Sequence, residues 1–279
     1  MTILVGRLWR VRADLVPDAL WERVAPLLPP VPERRRRYLG RLRVPDRTAL
    51  EGVMYVLRTG VAWRDVPAET VGCSGVTAWR RLRDWTEAGV WPRLHATLLA
   101  ELRRANLLDL DDCAVDGSHC PGSERGDHVG PSPVDRARPG SKHHLIVDRH
   151  GTPLAATLTG GNRHDVTQLL PLLDTVPLIR GLRGRPRRKP RHLYADRGYD
   201  FDKYRRLLWK RGIKPMIARR GVAHGSGLGK VRWVVERTFS WLHQFKRLRI
   251  RYERRADLHQ GLLDLACSII CLRRLSTSL

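Results

Sequence analysis

Apolar residues recur at helical spacing near the start of the chain. Leu15, Ala19, Leu20, Val24, Leu27 and Leu28 share one face until Pro29-Pro30 stops the pattern. A second run carries Leu50, Val53, Met54, Val56 and Leu57, with Asp46 placed to cap its start and Gly60 near its end. Ser74 or Thr77 opens a third, in which Trp79, Leu82 and Trp85 share a face while Arg80, Arg81 and Arg83 lie off it. A loop over 29–47 holds the basic tract Arg34-Arg35-Arg36-Arg37. Helix, turn and Arg-faced helix predict a small all-helical domain over 1–105 that fits a helix-turn-helix DNA reader, with Arg80, Arg81 and Arg83 as DNA contacts. The competing reading is a three-helix bundle with a solvated basic face.

Beyond about residue 108 the period changes. The short apolar run Cys113-Ala114-Val115 closes on Asp116, and a Gly, Pro and Ser-rich segment over 121–140 predicts a mobile loop. Strands over 142–147 and 154–158 are joined by a hairpin signal, Asp148-Arg149-His150-Gly151-Thr152-Pro153. A helix over 165–173 and a second basic loop over 183–191 follow, and then a strand, Leu193-Tyr194-Ala195, that closes on Asp196. Further helices are predicted over 201–211, 229–248 and 256–275, with a short strand over 215–218. Strands alternating with helices predict an α/β domain over 106–279, a mixed sheet flanked by helices.

At about 100° per residue, Val231, Val235, Leu242 and Phe245 fall on one side of the 229–248 helix, and Arg232, Glu236, Ser240, His243 and Arg247 on another. Glu236 thus belongs to a polar strip with two guanidiniums. The bland reading is a solvated face with an i, i+4 Arg–Glu pair. Asp116 before Gly117, and Asp196 two before Gly198, each also reads as a turn residue that caps backbone amides. Their joint placement at two strand ends, followed by an Arg-rich helix bearing Glu236, points instead to a carboxylate cage for hard divalent cations. His143-His144 and the Cys113/Cys120 pair carry a weaker metal-binding signal, for which a structural role is the simpler reading. Gly160-Gly161-Asn162-Arg163-His164-Asp165 reads either as a phosphate-holding loop or as a capped helix start. Gly225-Ser226-Gly227-Leu228-Gly229-Lys230 lacks the spacing of a nucleotide-binding loop and reads as a flexible lead into the Glu236 helix.

Charge sharpens this picture. The 279 residues carry 52 Lys plus Arg against 28 Asp plus Glu, a net charge of +24, and 45 of the basic residues are Arg. GC-rich codon usage inflates Arg, yet it seldom carries the balance this far. Guanidinium forks match phosphates bidentately, so DNA is the expected partner. The five cysteines are odd in number and lack paired C-x2-C spacing, which argues against zinc fingers and a disulfide framework and fits a reducing cytoplasm. No apolar run approaches the roughly 20 residues of a membrane helix, and the acidic residues Asp14 and Asp18 fit no signal peptide.

Several longer stretches carry a family resemblance. They are residues 53–67, from Val53-Met54-Tyr55 to Asp65-Val66-Pro67, and Thr77-Ala78-Trp79-Arg80-Arg81-Leu82-Arg83-Asp84-Trp85. The catalytic-part matches are Ala114-Val115-Asp116-Gly117-Ser118, Gly161-Asn162-Arg163-His164-Asp165, Ala195-Asp196-Arg197-Gly198-Tyr199-Asp200 and Val235-Glu236-Arg237-Thr238-Phe239-Ser240-Trp241. In these the chain resembles DDE-class transposases of bacterial insertion sequences, most closely the IS-five family. The resemblance implies a ribonuclease-H-like core in which Asp116, Asp196 and Glu236 are catalytic and bind two Mg2+ ions, with Mn2+ a substitute. It implies cleavage of element ends and 3′-OH strand transfer into target DNA. It also implies that Arg232 matches the signature Arg near the catalytic Glu. The signature's Tyr and Lys are replaced by Gly229 and His243, leaving Lys246 or Arg247 to serve with Arg197 at DNA. A homodimer on DNA and a nucleoid-associated cytoplasmic location follow by analogy. A stand-alone nuclease on the same core, or a protein that only binds DNA, are the alternatives.

Overall fold

The computed structural model describes residues 15–31, 42–122, 126–221 and 229–277. The Arg34–Arg37 tract and residues 225–228 of the glycine-rich lead therefore lie outside the described residues. The chain divides into two compact units, Met1–Leu94 with Phe245–Arg247, and His95–Gln244 with Leu248–Leu279.

The first unit is helical: α1 (Asp18–Val24), α2 (Asp46–Thr59), the short α3 (Ala68–Val71), α4 (Gly75–Glu87) and the start of α5 (Val90–Arg104). Its core holds most of the apolar set read from the sequence, with Leu20, Val24, Leu50, Val53, Met54, Leu57, Leu82 and Trp85 all buried, while Ala19, Leu27, Leu28 and Trp79 are half-buried. Gly60 ends α2 at φ 75°, the left-handed conformation that glycine adopts without steric cost. Ser74 caps α4 by accepting from the Thr77 amide at 3.2 Å. Asp46 does not act as a cap. It is the first residue of α2, and its carboxylate takes Arg43 at 2.8 Å and Arg81 at 3.1 Å, ion pairs that outcompete the backbone amides.

The second unit is built on a sheet of β1 (Asp112–Pro121), β2 (Gly130–Pro131), β3 (Pro139–Val147), β4 (Pro153–Gly160), β5 (His192–Ala195) and β6 (Lys214–Ile217). β4, β3 and β1 pair antiparallel, while β1, β5 and β6 pair parallel, giving the order β4-β3-β1-β5-β6, with β2 added to the start of β3. This is the ribonuclease-H-like arrangement. The helices α6 (Asp165–Thr175), α7 (Asp202–Lys210), α8 (Gly229–Leu242) and α9 (Ala256–Ser276) complete the unit. α6 packs on β3 and β4, α8 on β1, β3 and β5, and α9 on β4. β3 is therefore buried along nearly its whole length, its polar residues Ser141, Lys142, His143 and His144 included.

Two expectations are corrected here. β1 does not stop at Asp116 and give way to a loop over 121–140. It runs on to Pro121 because β3 holds it in antiparallel register from Ala114↔Val147 to Pro121↔Gly140. The helix over 229–248 ends at Leu242, and Lys246–Leu248 form a separate 3-10 turn. Arg247 is drawn away from the helical strip: it is buried, donates to the Val61 carbonyl at 3.1 Å and lies over the Trp63 ring.

Candidate active site

The parallel pairing of β1 with β5 covers only Asp112 to Ala114. Past that point β1 continues alone on this side, and β5 leaves the sheet at Ala195. Asp116 thus lies two residues beyond the last paired position, and Asp196 directly follows its own strand. The carboxyl ends of parallel strands, where neighbours diverge, are where α/β sheets open a cleft.

Side chains along β1 alternate between faces. Asp116 points toward α8, where Arg232 Nη1 lies 3.0 Å from its Oδ2. Arg232 Nη2 reaches Glu236 Oε1 at 2.8 Å, one turn further along the helix. One guanidinium therefore spans two carboxylates from different elements. The core side of α8, with Val234, Val235, Phe239 and Leu242 buried, turns Glu236 outward, and its side chain keeps 57% of its exposure. Asp196 opens a 3-10 turn over Arg197–Tyr199 and accepts from the Gly198 amide at 2.9 Å. That turn is braced from outside: Arg220 donates to the carbonyls of Arg197 and Gly198 and stacks on the Phe201 ring, while Asp200 takes Arg205 at 2.7 Å.

Burial pushes the Asp116 acid up to about 6, from an ordinary 3.8. The Gly117 amide and Arg232 pull it back, while Asp196 and Glu236 push it further up, so the three acids share one electrostatic neighbourhood. Tyr199, which the sequence reading passed over, is buried against the same group. Its phenol is raised well above the ordinary value, first by burial and then by Asp165, Asp116 and Asp196. The only advance signal for it was its place within Asp196-Arg197-Gly198-Tyr199.

Gly117 faces the other side of the sheet. A Cβ there would come within 2.8 Å of Asp165 Oδ1, so a larger residue would push the Asp165 carboxylate aside. Asp165 takes Lys142 Nζ at 3.1 Å, and His144 hydrogen-bonds Thr159 at 2.7 Å. His143 and His144 thus part to opposite faces.

The remaining expected contacts scatter. Arg80 is exposed on α4. Arg81 is only 13% exposed and committed to Asp46, and Arg83 pairs with Asp84 at 2.7 Å. Arg197 lies in the turn after Asp196, Lys246 is exposed, and Arg247 is buried.

The sequence matches decide what this arrangement belongs to. Residues 109–271 match the "Transposase DDE domain" and residues 16–95 the "Putative transposase of IS4/5 family". The chain belongs to the DDE transposase family. It is 65% identical over 154 residues, 54% of its length and 73% of the other protein, to the "Putative transposase for insertion sequence element IS402" of Burkholderia cepacia. It is 52% identical over 120 residues, 43% of its length and 81% of the other protein, to the "Insertion element IS402 uncharacterized 16.2 kDa protein" of the same organism. Among solved structures, the chain of the Mos1 strand transfer complex is distantly similar, at TM-score 0.34 and 14% identity, over 88% of this chain and 78% of that one. The protein is an insertion-sequence transposase, of a family that cleaves and transfers DNA strands in a metal-dependent reaction. Among the described residues, no helix of the transposase is long and apolar enough to cross a membrane.

The donor set fits a hard divalent cation. All three candidate ligands are carboxylates, and a positively charged group, the Arg232 guanidinium, already lies between two of them.

Proposed function

We propose that Asp116, Asp196 and Glu236 are the catalytic carboxylates of this transposase and hold two Mg2+ ions, with Mn2+ as a substitute. The observation that carries this reading is the Arg232 fork, 3.0 Å from Asp116 and 2.8 Å from Glu236, which draws a mid-strand acid and a helical acid to one point. When bound, the ions activate a water or a 3′-hydroxyl and stabilise the leaving oxygen of the in-line displacement. The chain's part is to hold its oxygens ready. The Gly117 amide at 2.8 Å fixes Oδ1 of Asp116, whose Oδ2 meets Arg232, and the Gly198 amide fixes Oδ1 of Asp196. Arg232 holds Glu236 toward the strands, and its charge suits a phosphate once the acids are otherwise neutralised.

In this reading the DNA bound is the terminal inverted repeats and then the target. Arg80, Arg197 and Lys246 meet its backbone, and two chains act together to bring two ends to one reaction. The nucleoid is the place of action. The test is a strand-transfer assay on linear DNA carrying the flanking terminal repeats, run with and without Mg2+. Cleavage plus joining supports the proposal; cleavage without joining indicates a nuclease, and binding without either a DNA-binding protein. Asp116→Asn, Asp196→Asn and Glu236→Gln are expected to lose both steps while still shifting end DNA in a gel.

A further inference from the structure

Four residues beyond Asp116, on the same face of β1, lies a second cluster that the catalytic reading does not use. The thiol sulfur of Cys120 and one ring nitrogen from each of His143 and His259 lie within 4.8 Å of one another, and all three residues are buried. The rings of His143 and His259 stack at 5.1 Å between centroids, with their Nε2 atoms 2.8 Å apart. On the far side of His259, its Nδ1 lies 3.7 Å from the Glu253 carboxylate. The Leu248 carbonyl oxygen is 3.4 Å from the Cys120 sulfur. The sequence offered His143-His144 and Cys113/Cys120 as separate weak signals. The fold keeps one member of each pair and adds His259, 116 positions away in the chain.

We propose that Cys120, His143 and His259 form a structural site for Zn2+ or a similar borderline-soft dication, separate from the carboxylate cage. One thiolate and two imidazoles are a donor set that zinc takes and that Mg2+ and Ca2+ do not. A tetrahedral ion with Zn–S of about 2.3 Å and Zn–N of about 2.0 Å spaces its ligands some 3.3–3.6 Å apart. The two Nε2 atoms, 2.8 Å apart, would have to open by roughly half an ångström, and the sulfur, within 4.8 Å of the ring nitrogens, to close by about 1.3 Å at most. Glu253 lies behind His259, 3.7 Å from its Nδ1, where a closer approach on metal binding would give the carboxylate–histidine–metal relay that orients ligating imidazoles. Burial keeps His143 well below its ordinary value, in the neutral form that ligates. The Cys120 thiol, pushed up to about 12 by burial, would release its proton to solvent as the metal takes the sulfur. Thiolate and Glu253 together offset the charge of the dication.

The site would tie three parts of the second unit together: β1, β3 and α9, with the segment that links α8 to α9. That segment already touches β1, the Arg251 amide donating to the Pro121 carbonyl at 2.8 Å. A metal there would fix where α8 ends, and through it the Glu236 helix.

The test uses the full chain, purified without chelator. The expected results are about one zinc per chain by elemental analysis and, on Co2+ exchange, d–d bands of a tetrahedral site with a thiolate-to-cobalt charge-transfer band. Cys120→Val, which replaces the thiol with an apolar group of similar size, is expected to abolish both. Cys113→Val, on the opposite face of the same strand, is expected to keep them, as is Asp116→Asn. A zinc chelator is expected to lower the melting temperature of wild type but not of Cys120→Val. Zinc content equal in wild type and Cys120→Val, or a cobalt spectrum without the thiolate band, overturns the proposal. If Cys120→Val fails to fold, the wild-type cobalt spectrum alone decides. None of these readouts depends on strand cleavage, so a failure here leaves the catalytic assignment untouched.

Discussion

Asp116 and Cys120 share one face of β1, about 13 Å apart at the rise of a strand, yet opposite chemistry gathers around each. Near Asp116 every donor is a carboxylate oxygen, Glu236 stays largely solvated, and an arginine lies between the acids. Near Cys120 the donors are sulfur and nitrogen, and all are buried. The difference follows from what burial tolerates. A neutral imidazole or thiol enters the core at modest cost, whereas a carboxylate must keep water, an amide or a counter-charge. Solvent access therefore sorts the two clusters into one that is open to water and one that is sealed.

The sharpest way to break this contrast is to neutralise the open cluster. Asp116→Asn, Asp196→Asn and Glu236→Gln are each expected to slow Mg2+-dependent end cleavage on the order of 10³-fold or more in single-turnover assays, several kcal/mol of charge stabilisation. Near-normal cleavage by any one of them would remove that residue from the centre. Arg232→Ala should cost less, roughly 10- to 100-fold, with Arg232→Lys recovering only part, because one ammonium cannot fork between two acids. Full recovery by Lys would mean that charge alone matters there.

Stability should move the other way. Asp116 holds its proton up to about 6 in the folded chain against 3.8 ordinarily. Between those values the native state binds more protons than the unfolded one, so stability falls as pH rises from about 4 to about 6 and stays lower above. In chelator at pH 7.5, Asp116→Asn should melt a few degrees above wild type, on the order of 1–2 kcal/mol, with the gap closing near pH 4. Added Mg2+ should raise wild type alone. A variant that melts lower across the range would show that the Arg232 pair outweighs burial.

The smallest effects concern α4, where committed and open groups sit side by side. Arg81→Ala should destabilise the helical unit by about 1 kcal/mol, since its pair with Asp46 is largely buried. Arg80→Ala should leave stability within about 0.5 kcal/mol and lower DNA affinity, with the salt slope reduced by about 1. Equal effects of the two on DNA binding would erase the distinction.

Local pattern carried much of the fold. The α2 helix, the β3–β4 hairpin and the β5 strand before Asp196 stand where apolar period and turn residues predicted them. Non-local pairing hid the rest. Gly117 and Pro121 look like turn residues, and only the register with β3 keeps them in a strand. Arg247 fits the polar strip of α8 by angle, but the helix stops five residues short of it and the side chain finds the Val61 carbonyl instead. Tyr199 and His259 carried no periodic signal, since their neighbours come from elements far away in the chain.

The Arg232 fork has a kinetic consequence. If these acids hold the metal as proposed, loading would be a swap, since Arg232 would have to release Asp116 and Glu236 before their oxygens could meet a dication. Such an exchange is gated by how readily the arginine lets go. Once released it remains on its leash of a few bonds, beside the place where a phosphate comes next.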